Sequence, residues 1–316
     1  MPAYRTATVT AIVEERDGLQ RVETTEGRAY VLTQLVGPVD VGDDVVLNTT
    51  GVDLGLGTGG WHVVHWNLSR REWSAPGSGH IMKLRYTSLQ ADTGAAEEDY
   101  ADAPGDLAGM PVVACTLHSQ AAVVATVLRH LRPVARIVYV MTDGAALPLA
   151  LSDVVAQLRE RAVLDATVTA GHAFGGDLEA VSIPSALALA RHACQADVVV
   201  AGMGPGVVGT GSALGTTAVE AAFILDATAA LGGRPILCVR MSDADERERH
   251  RGRMSHHSET VLELARSPVE APRPDDSIAV PDLPVPITTM GRGPDEDPAF
   301  FAACAAAAAA AATHLP

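Results

Sequence analysis

A chain of 316 residues exceeds the usual single-domain size, and an apolar share of 47% is enough for a packed core and too high for a disordered chain. A formal net charge of −15 argues against a phosphate-backbone binder, which needs basic patches, so nucleic acid is not an expected partner. No basic-then-apolar leader opens the sequence, and the longest apolar run, residues 299–312, falls short of the about 20 residues a spanning helix needs. A cytoplasmic protein without a membrane partner is therefore expected.

The four cysteines, Cys115, Cys194, Cys238 and Cys304, lie far apart in apolar stretches. That is the habit of reduced, buried thiols rather than of a zinc knuckle or a disulfide frame. All but one of the 23 basic residues are arginine, the exception being Lys83. A lone lysine in an arginine-biased chain is a candidate for a place that needs a compact ammonium.

Residues 3–14, 20–25, 28–33 and 44–49 alternate apolar and polar side chains between turn pairs such as Asp17-Gly18 and Glu26-Gly27. Short strands at this spacing predict a small β-barrel over residues 1–90. Residues 49–60 are glycine-dense and read as an irregular segment, and strand-like patterns resume at 61–68 and 81–90. Residues 91–108, acidic and without periodicity, read as a linker. From 109 to 316 the pattern becomes strand–helix alternation. Apolar runs at 111–116, 135–141, 166–169, 197–201 and 235–240 read as buried parallel strands, with helical spacing at 119–131, 149–161, 185–194 and 213–231. The fold class expected is α/β: a small N-terminal barrel, then a mostly parallel, doubly wound, Rossmann-like sheet in three layers. Ser255 can cap a helix running to Ala265. Asp297-Pro298 marks the start of a closing helix packed by small residues.

Ligands of open α/β sheets bind beyond the carboxyl ends of strands. His118 and Ser119 follow the first strand, and Thr142, Asp143 and Gly144 follow the second. Gly171-His172-Ala173-Phe174-Gly175-Gly176-Asp177 follows the third. The fourth ends in a glycine turn over 202–211, and Ser242-Asp243 follow the fifth. These groups are expected to share one cleft, with His118, Asp143, His172 and His256 facing it. The turn contains G-x-G-x-x-G at Gly204, Gly206 and Gly209, continuing through Thr210 and Gly211, and is expected to present amides to an anion at a helix start. It does not follow the first strand, and Pro205 removes a donor, which weakens a dinucleotide reading. His118, Asp143, His172, Asp177 and His256 are the candidate acid–base or metal-ligating groups, with a divalent metal and a nucleotide both left open. Adjacent His256 and His257 cannot both face one way on a regular helix. Gly175, Gly176 and Arg292 join the candidate ligand-binding groups, Arg292 for its carboxylate- and phosphate-matching fork, although a salt bridge to Asp295 or Asp297 would also explain it. Lys83 and the 49–60 segment are expected at the junction of barrel and α/β domain.

Leu47-Asn48-Thr49-Thr50, Gly57-Thr58-Gly59-Gly60, Gly79-His80-Ile81-Met82-Lys83-Leu84-Arg85-Tyr86, Met141-Thr142-Asp143-Gly144-Ala145-Ala146-Leu147-Pro148, the 171–177 segment and Ser255-His256-His257-Ser258 form one pattern. On these motifs the chain resembles, over nearly its whole length, a bacterial family with a domain of unknown function found in actinobacteria and firmicutes. The resemblance implies no activity. A fainter likeness is to the proprotein subunits of glycine and proline reductases, which place a barrel before an α/β region and generate a pyruvoyl group at a cysteine. No cysteine lies near 142–144, so that chemistry is not implied.

Three functions remain in competition: an enzyme acting on a small anionic metabolite, a nucleotide or organic-acid sensor, and a structural subunit assembling through its barrel. A homo-oligomer is compatible with each. Several titratable groups at strand ends favour the enzyme, since a sensor needs only the turn and an arginine.

Overall fold

Alternation of apolar and polar residues rolls the first third of the chain into a closed barrel. The computed structural model describes residues 2–77, 79–274 and 278–315 and divides into two units, Met1–Gly94 and Ala95–Pro316. In the first unit, β1 (Tyr4–Arg16), β2 (Leu19–Thr24) and β3 (Gly27–Leu32) form a meander. A single turn of helix, α1 (Thr33–Val36), leads to β4 (Asp44–Asn48), a second, α2 (Thr50–Asp53), follows, and then β5 (His62–Asn67). The barrel order is β1-β2-β3-β5-β4, closed by antiparallel β1–β4 pairing. Inward residues Val9, Val22, Val31, Val45, Leu47 and Val64 fill the interior.

The 49–60 segment is less irregular than its glycines suggest, because Thr50–Asp53 completes one helical turn before Gly55, Gly59 and Gly60 take positive φ. Residues 81–90 do not form the expected strand. Only Met82–Lys83 (β6) pairs, with Ala91–Asp92 (β7), and Leu84 and Tyr86 adopt φ of 53° and 61°, a left-handed backbone that ends extension. Lys83 is buried within this small ladder, at 3% exposure.

In the second unit, residues 95–108 are not a free linker. Leu107 is fully buried, its amide donates to Leu231 O at 2.7 Å, and the Ala96 amide donates to Glu179 O at 2.8 Å. The sheet strands are β8 (Pro111–Cys115), β9 (Ile137–Thr142), β10 (Ala166–Ala170), β11 (Leu178–Ala180), β12 (Val198–Met203) and β13 (Arg234–Cys238). They make one all-parallel sheet in the order β11-β10-β9-β12-β8-β13. Their continuous apolar runs reflect burial on both faces. On one face pack α3 (His118–Leu131), α4 (Asp153–Glu160) and α8 (Pro298–Ala312), against Val113, Ile137, Tyr139, Met141, Val198 and Val200. On the other pack α5 (Ile183–His192), α6 (Glu220–Ala230) and α7 (His256–Leu264), against Val112, Val138, Val140, Val199 and Ala201. A short hairpin, β14 (Met241–Ser242) with β15 (Arg253–Met254), joins β13 to α7.

This layering fixes where a ligand can enter. The helices after β8 and β9 cover one face, and the helix after β12, which lies between them, covers the other. The chain therefore diverges on either side of the β12 carboxyl end, which makes this the topological switch point. The order also separates β8 from β9, whereas a dinucleotide-type sheet sets its first two strands side by side. Edge strand β11 was invisible at three residues, and it follows β10 through only the seven-residue loop 171–177.

Candidate functional site

The strand-end residues sort into three groups of side-chain contacts rather than one. The first surrounds His118, the opening residue of α3. Its Nδ1 lies 3.1 Å from Tyr139 Oη and 3.3 Å from Met203 O, and its Nε2 lies 2.7 Å from Ser152 Oγ. Burial, opposed by the Met203 carbonyl, lowers its pKa to about 4, so the ring is neutral at pH 7. Ser119, the next helical residue, is half-buried.

The second group stands at the β9 end. The Thr142 hydroxyl, fully buried, donates to Glu220 Oε2 at 2.5 Å. Glu220 opens α6, so the divergence at β12 brings it back over the end of β9. Its carboxyl also meets Asp143 and the Gly144 amide. Burial and the neighbouring Asp143 push its pKa up to about 7, against the Thr142 and Gly144 bonds that pull it down. A Cβ at Gly144 would lie 2.6 Å from Glu220 Oε2, so this glycine makes room for the carboxyl. Asp143 in turn accepts the His172 amide at 2.9 Å, and Gly171, at φ 66°, packs against the same carboxylate.

Other members of the 171–177 loop serve the loop itself. Gly175 donates its amide to Glu179 Oε1 at 2.6 Å, and a Cβ at Gly176 would meet Thr169 N at 2.9 Å. Asp177 reaches back to the start of β10, accepting from Thr167 N at 2.7 Å and pairing with Arg159 at 3.1 Å. It therefore stands at the opposite end of β10 from the strand's carboxyl terminus, an anchor for the return loop rather than a member of the cleft.

The turn after β12 does leave a strand's carboxyl end, but the helix begins later than expected. Thr216 caps a 3₁₀ turn at Thr217–Val219 that runs into α6. Between them, Thr210 N donates to Gly215 O at 2.8 Å and Thr210 Oγ1 meets Ser212 Oγ at 3.0 Å, closing a small loop. Gly204 is a packing glycine, since a Cβ would lie 2.5 Å from Ala146 O. Gly206 and Gly211 hold φ of 99° and 90°. A Cβ at Gly209 would lie 3.8 Å from His257 Nε2, and one at Gly211 would lie 3.6 Å from Arg249 Nη1. The turn thus runs over the third group.

That third group follows β13. His250, His256 and His257 cluster with ring centroids 4.3–5.0 Å apart, their planes tilted or edge-on to one another. His256 and His257 converge because they are the first two residues of α7, behind the Ser255 cap, where the entering chain brings His250 alongside. His250 Nδ1 lies 2.6 Å from Ser255 Oγ, and Arg240 Nη1 approaches His257 Nδ1 at 3.3 Å. Burial and the Arg240 charge lower His250 and His257 to about 3, and burial with Arg249 lowers His256. An ionic frame surrounds them. Asp245 binds Arg240 at 2.9 Å and Arg247 at 2.8 Å, and fully buried Asp297 binds Ser242 Oγ at 2.6 Å and Arg292 Nη2 at 3.2 Å. Arg292 is therefore held by carboxylates of its own chain rather than left for a ligand. Asp297 precedes Pro298 as the sequence suggests, yet its side chain serves this frame and not a helix cap. Glu220, His250 and Asp245 escaped the sequence reading as site residues, whereas the Arg292–Asp297 salt bridge is the alternative it had left open. The adjacent His256-His257 pair and the mixed-charge run before it were the available signals for His250.

A closed five-stranded barrel followed by an all-parallel sheet covered on both faces defines a two-unit α/β protein whose polar groups gather beyond strand carboxyl ends. The chain belongs to the family described as Protein of unknown function (DUF3866), whose model matches residues 28–280. No curated protein and no solved structure matches it, so the likeness to reductase proprotein subunits gains no support. The matched span includes Asp143, Glu220 and the three clustered histidines. Among the described residues, no helix is long and apolar enough to cross a membrane, and the four cysteines are free and buried.

Proposed function

We propose that the α/β unit is an enzyme that binds a small anionic molecule at the β12 switch point and moves a proton with the Asp143–Glu220 pair. The carrying observation is the contact of two carboxyl groups at that point, with Glu220 at about 7. Like charges in contact cannot both ionise freely, so the pair holds a proton near neutral pH, where a general acid–base group works best. Thr142 orients the Glu220 oxygen, and the His172 amide donates to the Asp143 carboxyl and fixes its position. Arg249, whose guanidinium lies beside Gly211 of the glycine turn, supplies a cation for an anionic ligand there. Free, buried thiols fit a reducing cytoplasm.

The test is calorimetric titration of the full chain and of Glu220→Gln with phosphate, pyrophosphate, citrate and ATP, followed by turnover assays on each anion that binds. Binding by both chains, with turnover reduced about 10²–10⁴-fold in the variant, is expected. Binding without turnover by the wild type would replace the enzyme with a sensor. Failure of all four anions to bind would remove the anion site.

A further inference from the structure

We infer that His250, His256 and His257 form a three-imidazole site for a divalent transition-metal ion, its fourth position open beneath the glycine turn. One ring nitrogen from each histidine lies within 4.8 Å of the others. Three nitrogens in this cluster are buried without a hydrogen-bond partner: His250 Nε2 and both nitrogens of His256. His250 itself has no exposed surface. Orphaned buried donors or acceptors cost free energy unless something supplies their partner, and three in one place point to a ligand that takes lone pairs.

The chemistry of the donors selects the ligand. Neutral imidazoles bind zinc, cobalt, nickel and copper and offer little to magnesium or calcium. Metals take the neutral imidazole, so a proton on any of the three rings competes with the ion. Three protein ligands leave one tetrahedral position for water or an anionic oxygen, the pattern of catalytic rather than structural zinc. Bonds of about 2.0–2.1 Å set tetrahedral nitrogens about 3.4 Å apart, so rotations of the rings bring the donors together.

Two contacts outside the donor set orient the rings. Ser255 Oγ, 2.6 Å from His250 Nδ1, can accept its proton and leave the Nε2 lone pair free. Arg240 can only donate, so in the metal-free chain His257 accepts at Nδ1 and carries its proton on Nε2. Ligation through Nε2 moves that proton to Nδ1 and releases the Arg240 contact, while Arg240 stays anchored on Asp245. Asp245 and Glu259 balance part of the charge that Arg240, Arg247 and Arg249 place around the ion. Gly209 passes close to His257 Nε2, where a larger residue would crowd the open position. The site uses none of the acid–base residues, so its failure would leave that reading standing.

The test is titration of untagged, chelator-stripped full-length chain with Co²⁺, competed by Zn²⁺. One Co²⁺ per chain, with the intense visible bands of a low-coordinate imidazole complex, is expected. His256→Ala should weaken binding about 100-fold or more and abolish those bands, whereas His130→Ala, on the exposed end of α3, should match wild type. His256 makes no hydrogen bond through its ring, so the variant should keep the fold, checked by circular dichroism. Long-range ¹H–¹⁵N spectra should show the three imidazoles moving together on Zn²⁺ addition. Absent bands, undiminished affinity in His256→Ala, or unmoved imidazole signals would each overturn the site.

Discussion

Gly144 and Glu220 illustrate why single residues at this edge are not interchangeable. The glycine has no side chain where a Cβ would stand 2.6 Å from Glu220 Oε2. Gly144→Ala should cost about 1–3 kcal/mol by overpacking, and most of that should vanish in the Glu220→Ala background. Denaturant unfolding of the two single variants and the double variant measures it, and additive costs would show that the glycine and the carboxyl do not meet. His118 makes a pH-dependent contribution. Its folded pKa of about 4 lies below the ordinary 6.5, so its stabilisation is complete above pH 6.5 and is lost as pH falls towards 4. His118→Gln should flatten that limb of the melting-temperature profile by an amount on the order of 2–3 kcal/mol. An unchanged acid limb would contradict it.

At this scale Thr142, Asp143, Gly144, His118 and His256 could be picked out because each follows an apolar run that reads as a strand, or stands beside another histidine. Glu220 could not. A glutamate in the first turn of a helix suits the helix dipole and looks solvated, and only the missing side chain at Gly144, far away in sequence, lets it turn inward. His250 was hidden in the same way, within a mixed-charge run that reads as surface.

Elements were legible where burial imposed a continuous pattern. Strands β8, β9, β10, β12 and β13 fall on the apolar runs, because a parallel sheet covered on both faces has no polar side to show. Helix α6 begins later than its spacing suggests. Gly211 and Gly215 and the serine and threonine bonds of 210–216 keep that stretch in a loop until Thr216 provides a cap. The closing helix α8 was expected to pack by small residues, and Ala305, Ala307, Ala308 and Ala311 are fully buried against α3 and the sheet. Close approach there leaves no room, so Ala307→Leu should destabilise the second unit by about 1–3 kcal/mol, read as a lowered melting temperature. Ala309→Leu, at a half-buried position, should cost less. Equal small effects at both positions would mean that α8 packs loosely.

For the whole molecule, composition narrows the classes of partner to be expected, and topology sets which polar groups meet. The acidic charge and absent basic patches were plain in the sequence, as were a barrel followed by strand–helix repeats. The strand order was not, because which parallel strands become neighbours depends on long-range packing, and that order decides that β12 separates β8 from β9 and sets Glu220 over Asp143. Burial of Glu220, with Asp143 beside it, raises its pKa to about 7, so the folded chain holds a proton that the unfolded chain releases. Glu220 stabilisation is accordingly complete below its ordinary pKa of 4.5 and is lost as pH rises through about 7, opposite in sense to that of His118. The most direct measurement follows the Glu220 carboxyl carbon by ¹³C NMR across pH 3–9, identified by its absence in Glu220→Gln. A midpoint near 7, moving down when Asp143 is replaced by Asn, is the expected result. A midpoint near 4.5, indifferent to Asp143, would contradict a proton-sharing pair at the switch point.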